Sequence, residues 1–119
     1  IALNNKKERE DREAYWAEQR RLEQIKKELQ KKKEKELVDF KIIMGLSQRL
    51  QKSIELRNYI NTYEDYAIKN NSLTQEKQNW IEWARKKADW YDPFIESDDE
   101  LLKEVDKETL TFKSKDKWL

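Results

Sequence analysis

The sequence predicts an all-α chain, in which a long charged, coiled-coil-like helix leads into a compact helical hairpin plus a short third helix. Three observations carry this reading. Of the 119 residues, 43% are charged, yet the charges cancel to +1. There is one glycine, Gly45, and one proline, Pro93, so the breakers that loops and sheets require are nearly absent. Apolar residues recur at spacings of three and four, the period of a helix face. The chain also contains no Cys and no His, which removes the side chains most enzymes use for acid–base, nucleophilic or metal chemistry near neutral pH. A non-enzyme without a cofactor or bound metal is therefore expected.

Residues 1–36 form a charged helical arm. They are dominated by Lys, Arg, Glu and Gln, with no breaker, and helix propensity is high throughout. The sparse apolar residues Tyr15, Leu22, Ile25 and Leu29 are separated by seven, three and four, which places them on one narrow stripe. A narrow stripe flanked by charge fits a coiled-coil seam. It also fits a solvated single helix held by Glu–Lys pairs one turn apart. The stripe fades where a continued heptad reaches Lys32 and Glu36.

Residues 37–108 read as the compact module. Ile42, Ile43, Leu46, Leu50, Ile54, Leu56, Ile60, Ala67 and Ile68 fall on one broad face of a helix, with Tyr59, Tyr63 and Tyr66 along its flank. That face is expected to be core. Arg57 projects from its middle, where an unpaired charge is costly, so a carboxylate from Asp89 or Asp92 is expected to meet it. Asn70, Asn71 and Ser72 end the helix, because asparagine tolerates the left-handed conformation of a helix C-terminus. Thr74 caps the next helix, with Ser72 as a competitor. Asp92 ends it, since the residue before proline is pushed out of the α region. Trp80, Trp83, Trp90 and Tyr91 form an apolar arc on this second helix, read as core packing rather than a platform for bases. Phe94 and Ile95 are expected to pack back onto the tryptophans. The run SDDE at residues 97–100 is a capping box that introduces the short third helix, with Leu101, Leu102 and Val105 on its apolar side. Residues 109–119 form a basic tail ending near Trp118, with Leu110 and Phe112 in a brief extended stretch.

The motif W-x-x-W-A-R-x-x-A-D-x-x-D-P is carried here by Trp80, Trp83, Ala84, Arg85, Ala88, Asp89, Asp92 and Pro93. With the charged arm before it, the chain resembles the C-terminal region of a group of largely uncharacterised bacterial proteins, over about residues 8–108. Longer members of that group carry an N-terminal helix-turn-helix-like segment, which has no counterpart here. The resemblance implies a DNA-associated bacterial context and a chain that is part of something longer. The first residue, Ile1, agrees with that expectation. It transfers DNA binding to no residue of this sequence.

Function is then expected to be protein interaction, oligomerisation or spacing within a larger protein. The partner contacts are Tyr15, Leu22, Ile25 and Leu29, and the partner is a second copy or a different protein. The alternative is a nucleic-acid-binding accessory domain using Lys31, Lys32, Lys33, Arg85 and Lys86. Glu28, Glu34 and Glu36 cancel most of the positive field on the arm, so nucleic acid enters only in the full-length context. Trp80, Trp83, Trp90, Arg57, Asp89 and Asp92 are read as structural. The acidic residues from Asp89 to Glu100 are read as caps and surface charge rather than a metal site. No stretch reaches membrane length, and the cytoplasm is the default compartment.

Overall fold

The computed structural model describes residues 2–113. Helix α1 spans Ala2–Lys69, α2 spans Gln75–Tyr91, and two short strands follow, β1 at Val105–Asp106 and β2 at Thr111–Phe112. The all-α class, a long helix followed by a shorter one, is what the structure shows. The chain divides into two units, Ile1–Lys41 and Ile42–Leu119.

In the first unit, every described side chain but the half-buried Gln19 is exposed. Its helix is therefore held by propensity and by local pairs. Arg21 binds Glu18 at 2.6 Å, Lys35 binds Asp39 at 2.7 Å, and Lys6 approaches Glu10 at 4.0 Å. Gln24 and Gln30 donate to Glu28 and Glu34, one turn on, at 3.2 and 3.3 Å. Each such pair contributes only about 0.2–0.5 kcal/mol.

In the second unit, α1 and α2 form an antiparallel hairpin. The turn is a Schellman motif. Ser72 N–H reaches back to the Ala67 carbonyl at 2.8 Å, Asn71 N–H to that of Ile68 at 3.1 Å, and Asn71 has φ of 51°. Thr74 is the cap, accepting from Lys77 N–H at 3.2 Å. Asp92 closes α2, with its own N–H on the Ala88 carbonyl at 3.0 Å. The core between the helices is Ile60, Ile81, Ala84 and Ala88, flanked by Tyr63 and Leu73. Small residues at this contact, Ala84, Ala88 and the fully buried Ser53, let the helices approach closely. The α1 helix runs through Gly45 without a break. Its missing Cβ admits Glu108, whose Oε1 lies 2.5 Å from where that carbon would stand.

The structure corrects three expectations. The broad α1 face is not all core: Ile60 and Ala67 are buried and Leu50 is half-buried, while Ile42, Ile43, Leu46, Ile54, Leu56 and Ile68 are exposed. A single 17-residue helix covers only the line through Ser53, Arg57, Ile60 and Ala67, spaced by four, three and seven. Residues a quarter-turn away stay about half exposed, such as Ile54 at 46% and Leu56 at 43%. The third helix is absent. The capping role expected of Ser97 falls instead to Asp99, whose Oδ1 accepts from Leu101 N–H and Leu102 N–H at 3.0 and 3.2 Å. Asp106 then captures Glu108 N–H and Thr109 N–H at 2.8 and 3.2 Å, and the chain turns back instead of continuing. The result is a ribbon pairing Val105 with Phe112 and Asp106 with Thr111. The extended stretch expected near Leu110 and Phe112 is the second strand of this ribbon. Phe94 is 81% exposed rather than packed on the tryptophans, because the turn after Pro93 points it outward. Residues 114–119 of the expected basic tail, Trp118 included, lie outside the described residues.

Candidate interaction surfaces

On the arm, Tyr15, Leu22, Ile25 and Leu29 are 57, 46, 48 and 51% exposed. Helical spacing brings them onto one stripe. Trp16, which the sequence reading passed over, is equally exposed and meets Tyr15 edge to face, with ring centroids 5.4 Å apart. Adjacent aromatics on an otherwise polar helix were the available signal. Lys31, Lys32 and Lys33 are exposed among glutamates that are themselves bonded to glutamines.

In the hairpin, the Arg57 guanidinium is shared between two carboxylates. One nitrogen donates to Asp92 Oδ2 at 2.8 Å and the other to Asp89 Oδ1 at 3.0 Å. The Asp92 carboxyl is held below the usual carboxylate range, first by the N–H of Phe94 and then by Arg57. Reciprocally, Asp92 and then Asp89 raise the Arg57 pKa. The sequence named both partners. Arg85, a candidate phosphate contact, instead crosses to α1, where it binds Glu64 at 3.0 Å and Asn61 at 3.2 Å. Lys86 is exposed.

The tryptophans divide. Trp90 is buried with the Lys107 ammonium 4.8 Å over its ring, and burial lowers the pKa of that lysine. Trp80 and Trp83 are 36 and 54% exposed, so the expectation of core packing holds for Trp90 and only in part for these two. Trp80 packs on Tyr63 at 4.6 Å and on Trp83 at 6.5 Å. Trp83 also faces Lys87, whose ammonium pairs with Asp99. Together with Leu56, Tyr59, Trp90, Tyr91 and Leu102, Trp83 lines an apolar groove of about 720 Å³. Sequence reasoning missed this groove, because Leu102 reaches it only through the turn that replaces the expected third helix.

Among the described residues, no group of three or more His, Cys, Asp or Glu side chains is placed to hold a metal ion. No helix of the described residues is long and apolar enough to cross a membrane. No family model, curated protein or solved structure matches this chain.

Proposed function

We propose that the chain is a protein-interaction and oligomerisation module, in which the arm pairs with another helix and the hairpin is a structural end-piece of a larger bacterial, DNA-associated protein. One observation carries the reading: Tyr15, Leu22, Ile25 and Leu29 keep about half their surface exposed at heptad spacing. In water such a stripe gains about 25 cal/mol for each Å² of apolar surface it buries, which favours pairing with a second amphipathic helix. Sedimentation equilibrium tests it. The chain is expected to sediment above its monomer mass, and a Leu22→Lys, Ile25→Lys, Leu29→Lys variant to sediment as a monomer with the hairpin intact by tryptophan fluorescence. Monomers in both cases would remove self-association from the reading.

The half-exposed Trp83 beside Lys87 and the exposed Lys86 favours the alternative, a nucleic-acid accessory surface. Charge works against it, since Arg85 is occupied by Glu64 and the arm's lysines alternate with carboxylates. Anisotropy of labelled single- and double-stranded DNA at about 150 mM salt is expected to show no complex. A tight complex that weakens steeply with salt would reverse the ranking.

A further inference from the structure

We infer that the partner of the arm is a second copy of this chain, lying antiparallel, with Leu22 of each copy against Ile25 of the other. This rests on reading the arm as a pairing surface. The inference comes from what else the seven-residue frame brings to the seam. Tyr15, Leu22 and Leu29 occupy one core position of the heptad, and Glu18, Ile25 and Lys32 occupy the other.

In a parallel pair each core residue meets itself. Glu18 would then face Glu18 and Lys32 would face Lys32, two like-charge layers flanking the apolar centre. In an antiparallel pair the two core positions alternate across the seam. Centring it on Leu22 and Ile25 sets Glu18 against Leu29 of the second copy and Lys32 against Tyr15 of the second copy. Neither charge then meets its like. The Lys32 stem lies along the Tyr15 ring with its ammonium free to reach the ring face or water. Glu18 keeps the Arg21 partner it already has at 2.6 Å.

The residues beside the seam agree. In the antiparallel arrangement Arg21 flanks Glu28 of the second copy, and the twofold axis repeats this attraction on both sides of the central layers. The parallel arrangement places Arg21 against Lys26 at the same central layers, and its attractive pair, Glu28 with Lys33, lies further out. The antiparallel pair has a repulsive contact too, Arg12 with Lys33, but at the ends. Beyond those ends the frame continues through Glu8, Asp11, Glu36 and Asp39, all acidic and all exposed. Pairing is thus confined to about two and a half heptads and should be weak and reversible.

The absence of native cysteine makes direction measurable in the full chain. A disulfide needs Cα atoms within about 7 Å, whereas residue 29 of two antiparallel copies would be about 16 Å apart along the axis. Under a mild thiol–disulfide redox buffer, the Glu18→Cys, Leu29→Cys double variant is expected to become mostly covalent dimer on a non-reducing gel. Glu18→Cys alone, Leu29→Cys alone and the outward-facing Lys27→Cys are expected to stay monomeric. Ready dimerisation of Leu29→Cys alone would overturn the antiparallel direction while keeping self-association. Crosslinking of Lys27→Cys as extensive as that of the double variant would mark random collision and overturn the inference. No crosslinking at all, with a monomer in sedimentation, would remove self-pairing itself.

Discussion

Replacing Ile60 with alanine is expected to destabilise the hairpin by about 2–5 kcal/mol, the range for truncating a buried aliphatic side chain. Ile60 is 1% exposed and sits among Ile81, Ala84 and Ala88, where the alanines are too small to move in and fill a cavity. Ile60 and Ile81 are the two large apolar side chains that are fully buried among the described residues. A unit of this size has only about 4–10 kcal/mol of stability in total, so the loss should leave it close to unfolding at room temperature. Urea denaturation followed by tryptophan fluorescence reads the effect. Ile43→Ala, at a side chain 63% exposed, should cost no more than about 0.5 kcal/mol of unfolding free energy. Equal losses from the two substitutions would mean that the broad apolar face is covered after all.

That contrast shows where sequence reading works and where it stops. The ends of α2 and the turn before it were legible, because a cap or a left-handed residue acts on backbone groups within a few positions. Asn71, Thr74 and Asp92 needed no knowledge of the rest of the chain. The Arg57 partners were legible for a related reason: a guanidinium in the middle of an apolar stripe has few ways to be satisfied, and the facing helix carried two carboxylates one turn apart. Which isoleucines of the broad face are buried was not legible. Periodicity ranks residues by direction, whereas burial depends on how many neighbours arrive, and here α2 covers one line of the face while the segment after Pro93 reaches it only in places, as Glu108 does at Gly45. The segment after Pro93 failed differently. Asp99, rather than the expected cap Ser97, accepts the first-turn N–H groups, and Asp106 then offers the backbone a competing turn. The groove beside Trp83 follows from that turn and so shared its obscurity. On the arm, the stripe itself was plain in the spacing, and the charged residues interrupting it hold the information about direction.

The second large effect should come from Asp92, where chain reversal and interhelix pairing meet in one carboxylate. Its Oδ1 accepts the Phe94 N–H at 2.8 Å and its Oδ2 accepts Arg57 at 2.8 Å, with the residue only 5% exposed. Asp92→Ala removes both bonds and leaves Arg57 with Asp89 alone. A loss of about 1–3 kcal/mol is expected, below the cost of stranding a fully buried charge because Arg57 stays about a third exposed. Asp92→Asn should lose less, since an amide oxygen can still accept from Phe94. The two variants also differ from the parent in acid. A carboxyl whose native pKa lies below its unfolded value of about 3.9 contributes stability that is fully present above that value and disappears as pH falls through the depressed native pKa. Asp99, lowered chiefly by Lys87, acts with the same sign. Urea midpoints of the parent chain are therefore expected to fall steeply below about pH 4, and those of Asp92→Asn to fall less over the same range. Parallel acid limbs in the two proteins would show that the stabilising proton linkage lies elsewhere, since the substitution removes the titrating group while leaving the turn it closes.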